Sequence, residues 1–198
     1  MKVLYIILIL LFSGFVFSQV YIERSTSRTE QVDYKVVKRL SKGVEIRKYE
    51  DLIVAYTKIS ADNYGSVSSK GFRRIAGYIF GGNEGGESIA MTAPVQMNFA
   101  DTSEMMFFMP KSYRSMDALP TPNDSTVRIK EIKERTVAAI VFKGWASDKT
   151  IDEQKKNLVK VLESEGIAYD ANDFAYLGYN PPYQMANRRN EIIVTLKE

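Results

Sequence analysis

The chain has 198 residues, of which 45% are hydrophobic and 26% are charged. This length suits one large domain or two small ones, and the composition is ordinary for a globular protein. The 27 basic and 24 acidic residues leave a formal net charge of +3, with no long basic run. A balance this close to neutral argues against a nucleic-acid-binding surface.

The sequence contains no histidine and no cysteine. A Ser-His-Asp triad, a thiol nucleophile and a zinc site of His and Cys ligands are therefore excluded. Glycosidase or metal–carboxylate chemistry stays open in principle, but nothing places two carboxylates such as Glu45 and Asp51 across a cleft. We therefore predict a binding protein that is not an enzyme and has no metal site of its own.

The first 18 residues have the three parts of a secretory signal peptide. Met1-Lys2 gives a basic start, residues 3–12 an apolar stretch, and Val16-Phe-Ser18 a small-residue cleavage site. The alternative is a retained membrane anchor, but the fifteen residues from Val3 to Phe17 are fewer than the roughly 17 to 25 that a spanning helix needs. We predict export to the periplasm or medium, with no membrane insertion after leader cleavage.

Residues 19–33 are polar with little periodicity and are predicted to be a tether, so that one folded domain covers residues 34–198. That domain starts with alternating apolar residues, Val44 and Ile46, then Leu52 and Val54, which predict a hairpin. A helix is predicted over residues 66–80, because Val67, Phe72, Ile75 and Ile79 recur at helical spacing. Gly81-Gly82 ends this helix.

The second half of the chain repeats this order. Strands are predicted near residues 127–132 and 136–142, followed by a helix over 151–165 that is capped by Asp148 or Thr150 and closed by Gly166. Further strands are predicted at residues 88–93, 105–110, 174–178 and 192–196. Because hairpin-length links dominate each half, we expect an antiparallel sheet.

Two sequence echoes indicate an internal duplication. Residues 44–55 align with 127–138 at an offset of 83, and Pro94-Val-Gln-Met97 aligns with Pro182-Tyr-Gln-Met185 at an offset of 88. We predict an α+β fold of two pseudo-symmetric repeats, about 34–110 and 123–198, each with one helix. The seam between the repeats is the natural place for a ligand.

Four motifs together resemble the signatures of the SOUL heme-binding protein family. They are Val44-Glu-Ile-Arg-Lys-Tyr49, Met91-Thr-Ala-Pro-Val95, Gly178-Tyr-Asn-Pro-Pro182 and Arg188-Arg-Asn-Glu-Ile192. The resemblance spans about residues 34–196 and implies a duplicated, distorted antiparallel β-barrel flanked by two helices. It also implies binding of heme or protoporphyrin in a shallow apolar cleft. A similar architecture serves the effector-binding domains of some regulators.

The family's binding residues carry over unevenly. One branch has an axial histidine directly after the Glu-Ile-Arg motif, where this chain has Lys48, so that Met, Tyr or no protein group would ligate an iron. The other branch uses basic groups near the propionates, and its positions fall here on Lys70, Tyr78 and Gln184.

A porphyrin is a flat apolar disc with two carboxylates at one edge, so its site needs aromatic or Met walls and a cation at the mouth. Tyr78, Tyr183 and Met185 are candidate walls. The full set of predicted cofactor-binding residues is Lys70, Arg73, Arg74, Gly77, Tyr78, Tyr183, Gln184 and Met185. The structural alternative is that the arginines form a solvated helix face and that the methionines fill the core.

Two other motifs are assigned to structure. Gly81-Gly-Asn-Glu-Gly-Gly86 follows a helix, whereas phosphate-binding loops precede one, and it is predicted to be a helix exit. In Arg188-Arg-Asn-Glu191, a strand-entry arginine is predicted to pair with the carboxylate.

The sequence therefore predicts an exported tetrapyrrole-binding protein without histidine ligation. The alternative is a protein-interaction or structural domain of the same fold, which would use Tyr and Met surface patches for a protein partner. A third possibility is a sensor of small apolar cations, which would need an acidic residue inside the cleft.

Overall fold

Three α-helices and eleven β-strands occur in the part of the chain that this computed structural model describes, residues 2–60, 63–99 and 103–197. The helices are α1 Lys2–Arg28, α2 Tyr64–Ile79 and α3 Asp148–Ser164. The strands are β1 Glu30–Gln31, β2 Lys35–Arg39, β3 Val44–Tyr49, β4 Leu52–Ile59, β5 Thr92–Ala93, β6 Val95–Asn98, β7 Ser103–Phe108, β8 Val127–Ile132, β9 Arg135–Lys143, β10 Tyr169–Gly178 and β11 Arg189–Leu196.

Nine of the strands form one antiparallel sheet in the order β2-β3-β9-β11-β10-β6-β7-β4-β8. The α+β class and the antiparallel sheet are confirmed, but the sheet is open at β2 and β8, so the predicted barrel is wrong. Both edge strands carry basic side chains, including Lys35 and Lys38 on β2 and Arg128 and Lys130 on β8. Charged edges resist further strand pairing, which is consistent with a sheet that does not close.

The two faces of the sheet carry separate apolar cores. Helices α2 and α3 pack on one face, where Phe107 and Ile192 belong to the same cluster as Leu158 of α3. Alternate residues of the same strands, such as Phe108 and Ile193, form a smaller cluster on the opposite face. Because successive side chains of a strand point to opposite faces, one sheet supports both cores. We call the face without α2 and α3 the second face.

Helix α2 begins after Asn63, whose side chain accepts a hydrogen bond from Ser66 N at 2.9 Å. It ends before Gly81, which has a φ of 100°, so the predicted helix exit is confirmed. Phe72, which recurs at helical spacing with Val67 and Ile75, is 38% exposed, whereas those two residues are buried. Gly71 is buried instead: a Cβ at this position would lie 2.7 Å from Ile59 Cδ1. This close approach turns the adjacent Phe72 outwards.

Helix α3 has Ser147 as its N-cap, so the predicted cap at Asp148 or Thr150 is wrong. Ser147 and Thr150 form a reciprocal capping box, in which each side chain bonds the other residue's backbone N–H. Asp148 is available for a different contact and accepts a hydrogen bond from Tyr64 N at 2.7 Å. That bond joins the start of α3 to the start of α2.

The first sequence echo coincides with matching strands: β3 and β8 both begin their respective segments, and β4 and β9 follow at the same offset. The second echo does not, because Val95–Asn98 is a strand whereas residues 182–185 lie in the loop between β10 and β11. The strand order has a further regularity. The eight strands from β3 to β8 lie in the order β3-β9-β11-β10-β6-β7-β4-β8. If each strand is replaced by its counterpart in the other half of the chain, the same order results, read backwards. The counterparts are β3 and β8, β4 and β9, β6 and β10, and β7 and β11.

The N-terminal segment contains a long helix and a short strand. Helix α1 continues as far as Arg28, and β1 then pairs in parallel with β5. By length and composition, residues Leu4–Arg28 could cross a membrane, and a signal sequence satisfies the same criterion. The boundaries predicted at residues 18 and 33 stay predictions.

Candidate functional site

One side of α2 brings together three of the predicted binding residues. Lys70, Arg73 and Gly77 follow one another at spacings of three and four residues, which places them on one face of the helix. All three are exposed, and within the described ranges no ion pair involves Lys70 or Arg73. A Cβ at Gly77 would have no atom within 4 Å, so the helix is open to solvent there.

Two exposed aromatic side chains that were not among the predicted site residues lie in a row along one side of this face. Phe80 is 62% exposed, and Phe72 precedes it by two helical turns. The four-residue spacing of Phe72, Ala76 and Phe80 is visible in the sequence. The helical spacing, however, grouped Phe72 with the apolar residues Val67 and Ile75. We call Lys70, Phe72, Arg73, Gly77 and Phe80 the α2 patch.

Tyr78 and Arg74, also predicted for the site, hold α2 in place instead. Tyr78 is 1% exposed, and its hydroxyl donates to Pro120 O at 2.9 Å. Burial raises the pKa of Tyr78 to about 12. Arg74 donates to Lys58 O at 3.0 Å and to Thr57 Oγ1 at 3.3 Å. Neither side chain belongs to the open surface of the helix.

The other predicted residues lie in the loop between β10 and β11. Tyr183 and Met185 are 63% and 57% exposed, whereas Gln184 is buried. The Gln184 side chain accepts a hydrogen bond from Thr26 Oγ1 at 2.9 Å and donates to Ala186 O at 2.9 Å. Among residues 2–60, 63–99 and 103–197, no hydrogen bond or ion pair joins this loop to the α2 patch. The two regions are connected only indirectly. Ser88 pairs with Phe80 at the end of α2, the chain continues from there to β6, and Val95 of β6 pairs with Gly178 just before the loop.

A buried ion network occupies the second face. Glu191 is fully buried and accepts from Arg47 Nη1 at 2.8 Å, from Arg189 Nη2 at 2.6 Å and from the Tyr179 hydroxyl at 3.0 Å. The predicted pairing of a strand-entry arginine with this carboxylate is confirmed for Arg189. Arg188 donates to the carbonyl oxygens of residues 181 and 184 instead. The sequence analysis missed Arg47, although it lies in the first family motif.

The surroundings of the network raise the pKa values of Arg47 and of two neighbouring tyrosines. Burial alone would lower the pKa of Arg47, but the charge of Glu191 and the hydrogen bond to it outweigh burial, so the pKa is raised. Burial is also the main reason why the pKa of Tyr179 is raised and that of Tyr49 reaches about 12. Arg47 therefore stays a cation and both tyrosines stay neutral, which suits a structural network better than acid–base chemistry.

A cavity of about 540 Å³ lies between the start of β4 and the segment after β7. Met109, Tyr113 and Met116 line it, together with cations and acids in similar number, including Arg114 and Asp117. The sequence analysis did not predict this cavity, because its wall forms only when residues 109–117 fold back over β4. Its mixed charge makes it less suited than the α2 patch to a ligand that carries two carboxylates.

Comparison with known proteins identifies the family. The family model described as SOUL heme-binding protein matches residues 29–195. The chain belongs to the SOUL heme-binding family. Heme-binding protein 2 of Mus musculus is 30% identical over 155 residues, which cover 75% of this chain and 75% of that protein. Heme-binding protein 1 of Xenopus laevis is 26% identical over 156 residues, covering 75% of this chain and 80% of that protein.

Solved structures share the fold of this SOUL-family chain at low sequence identity. The crystal structure of the EcmrR C-terminal domain matches with a TM-score of 0.60 and 13% identity, over 83% of this chain and 98% of that one. A hydrolase from Listeria innocua matches with a TM-score of 0.56 and 9% identity, over 88% and 97% of the two chains. At such identities the likeness concerns the fold alone.

Proposed function

We propose that this SOUL-family protein binds heme or a related tetrapyrrole on the α2 patch, without histidine ligation. The observation that carries the proposal is the open surface at Gly77, which lies beside exposed Phe80 and the cations Lys70 and Arg73, with exposed Phe72 two turns before Phe80 on the same side of the helix. The names of the curated relatives, heme-binding proteins 1 and 2, support the same ligand class.

The residues present fit such a ligand. A flat apolar ring can approach the helix backbone only where no side chain intervenes, and Gly77 provides that position. Phe72 and Phe80 supply apolar contact area, while Lys70 and Arg73 can bind carboxylates. Heme, when bound, supplies a redox-active iron, which no side chain of the α2 patch can ligate. The exposed predicted residues whose side chains can ligate iron, Tyr183 and Met185, lie in the loop between β10 and β11.

Titration of hemin and of iron-free protoporphyrin into the chain from Gln19 onward tests the proposal, with the Soret band and tyrosine fluorescence as readouts. Lys70→Glu reverses the charge that would meet a propionate, and Gly77→Leu fills the open surface without a poor helix former. Lys149→Glu is the matched control, because Lys149 is an exposed lysine on α3 and does not belong to the patch. Circular dichroism verifies that each variant is folded.

Saturable binding of both ligands, weakened by Lys70→Glu and by Gly77→Leu but not by Lys149→Glu, would support the proposal. Binding of hemin alone would indicate an iron ligand among Met and Tyr residues. Equal affinity of all variants would place the ligand elsewhere, with the cavity lined by Met109 and Tyr113 as the next site to mutate. Binding of neither ligand would favour the protein-interaction domain.

We further propose that the domain arose by duplication and acts outside the cytoplasm. The duplication is supported by the echo at residues 44–55 and 127–138, which coincides with matching strand pairs, and by the reversible strand order. Export is supported by the apolar segment at the start of the chain, because a basic residue followed by an apolar stretch targets a chain for export whether or not the segment is cleaved afterwards.

A further inference from the structure

Helix α1 is longer than the predicted leader, and its uncharged stretch extends beyond the predicted cleavage site. Between Lys2 and Glu23 the sequence has 20 residues without a charged side chain, and the structure continues the helix through Ser18 without a break. The large apolar side chains from Leu4 to Phe12 are all exposed. A helix that is apolar on all sides, 20 residues long and without charges has the length and composition of a membrane span.

The polar end of the same helix contacts the domain through one face. Gln19, Glu23 and Thr26 are spaced by four and three residues and therefore lie on the same side of α1. Gln19 Oε1 accepts a hydrogen bond from Met185 N at 2.9 Å, and Glu23 Oε1 accepts one from Asn187 Nδ2 at 2.8 Å.

The third residue of this face, Thr26, donates to Gln184 Oε1 at 2.9 Å. The other faces of this part of α1 are solvent-exposed, as the side chains of Val20 and Tyr21 show. All three contacts therefore join α1 to a single loop, the one between β10 and β11. We call them the α1–loop contact.

We infer that α1 is retained as a membrane anchor and holds the loop between β10 and β11 against the lipid surface. The α1–loop contact begins at Gln19, close to the end of the uncharged stretch, so the loop sits at the level where the helix would leave the hydrocarbon. Tyr183 and Met185 are exposed at this level, and tyrosine is enriched at membrane–water interfaces. Arg24 and Arg28 follow in the last turns of α1, where headgroup phosphates would meet them.

This inference goes beyond the proposed function, because its partner is a phospholipid bilayer and not a tetrapyrrole. It also gives Gln19 a role that cleavage after Ser18 would disturb, since the cut would fall next to the first residue of the α1–loop contact. The bilayer is the occupant that the 20-residue uncharged helix favours, because every backbone polar group of a helix is satisfied internally.

The first experiment determines whether α1 is retained. The full chain is produced in a bacterium and followed into the membrane and released fractions, with an alkaline carbonate wash and intact-mass measurement. We expect a washed-membrane protein at the full mass of 22.5 kDa. A released protein that begins at Gln19 would overturn the inference.

The second experiment determines whether the loop touches lipid. Trp145 is the only tryptophan of the chain, so Trp145→Phe combined with Tyr183→Trp moves the single indole to the loop. The full-length variant is reconstituted in phosphatidylcholine vesicles with or without brominated acyl chains. We expect loss of indole fluorescence in the brominated vesicles only.

The matched control combines Trp145→Phe with Val37→Trp, because Val37 is exposed to a similar degree on the edge strand β2. We expect its fluorescence to be the same in both kinds of vesicle. Equal quenching at the two positions, or none at position 183, would overturn the placement of the loop. Neither readout involves a tetrapyrrole, so failure of this inference and failure of the proposed function are distinguishable.

Discussion

The carboxylate of Glu191 is fully buried on the second face, where it accepts hydrogen bonds from two arginines and a tyrosine. Arg47 and Arg189 bring two guanidinium groups to it, and the Tyr179 hydroxyl donates a further bond. A buried ion pair of this kind gains little over an apolar pair of the same shape, but loss of one partner leaves an uncompensated charge. The network is therefore stable only when both arginines and the carboxylate are present.

Glu191→Gln tests this dependence. The substitution keeps the shape but removes the negative charge that faces two arginines, so we expect the free energy of unfolding to fall by about 3–5 kcal/mol. Urea denaturation followed by circular dichroism measures the change. Glu153→Gln is the control, because Glu153 is exposed and pairs only loosely with Lys149 at 3.9 Å. A loss at Glu191 no larger than that of the control would contradict this account of the network.

The contribution of Tyr78 to the stability of the fold should depend on pH. Its hydroxyl bonds Pro120 O, so Tyr78→Phe should destabilise the protein by about 1 kcal/mol at pH 7. Burial raises the pKa of Tyr78 from 10.0 to about 12 in the folded protein. As the pH rises from 10 towards 12, the unfolded chain releases this proton before the folded one does, and the stability from Tyr78 is lost.

The stability difference between wild type and Tyr78→Phe should therefore shrink over that pH range. Urea denaturation of both proteins at pH 7, 10 and 11 measures it. The other buried tyrosines, such as Tyr49, are present in both proteins and cancel in the difference. A gap that stays constant up to pH 11 would show that the phenol is not shielded in the folded state.

Among the helices, α2 contains three glycines, of which Gly71 and Gly77 have opposite surroundings and form a matched pair. A Cβ at Gly71 would lie 2.7 Å from Ile59 Cδ1 and 2.8 Å from Met105 Cβ, whereas one at Gly77 would meet nothing within 4 Å. We expect Gly71→Ala to destabilise by about 1–3 kcal/mol through overpacking. Gly77→Ala should stabilise by up to about 1 kcal/mol through helix propensity. Thermal and urea unfolding measure both, and stabilisation by both substitutions would refute the close packing of α2 on β4 and β7.

The same pair shows which features of an element the sequence could predict. The alternation of apolar and polar residues in β3 and β4 and the glycines that follow α2 are local signals. The two strands and the end of the helix form where those signals predicted them. No local signal determines which face α2 turns towards the sheet, because this depends on how closely Gly71 approaches Ile59 of β4. For that reason Phe72 was grouped with the apolar residues of the helix and missed as a member of the α2 patch, while Tyr78 was assigned to the site although it is buried.

The α1–loop contact was equally inaccessible to sequence analysis, because Gln19 and Met185 are far apart in the chain. It leads to a test that uses the absence of cysteine from the sequence. Gln19→Cys combined with Met185→Cys should be joined by a short thiol-reactive bifunctional cross-linker, detected as altered migration in a denaturing gel. Gln19→Cys combined with Val37→Cys is the control and should stay unlinked. Equal cross-linking of both pairs would mean that α1 does not dock at the loop.

At the scale of the whole molecule, the two halves of the chain form one interleaved sheet. Strand β3 of the first half pairs with β9 of the second, β4 pairs with β8, and β6 pairs with β10. The core beneath α2 and α3 also draws residues from both halves, such as Phe107 and Ile192. Each half alone would leave three strand edges unpaired and half of an apolar core exposed to water.

This interleaving predicts how fragments will behave. We expect residues 29–110 and residues 111–198, produced separately, to lack cooperative thermal unfolding, because neither buries enough apolar surface to offset its conformational entropy. Mixing the two fragments should restore the circular dichroism spectrum of the intact domain and a cooperative transition, as the three pairings re-form. The comparison with the uncut chain is made at equal concentration. If either fragment unfolds cooperatively alone, the repeats are independent domains, and the pairing between the halves is a docking of folded units instead of a shared fold.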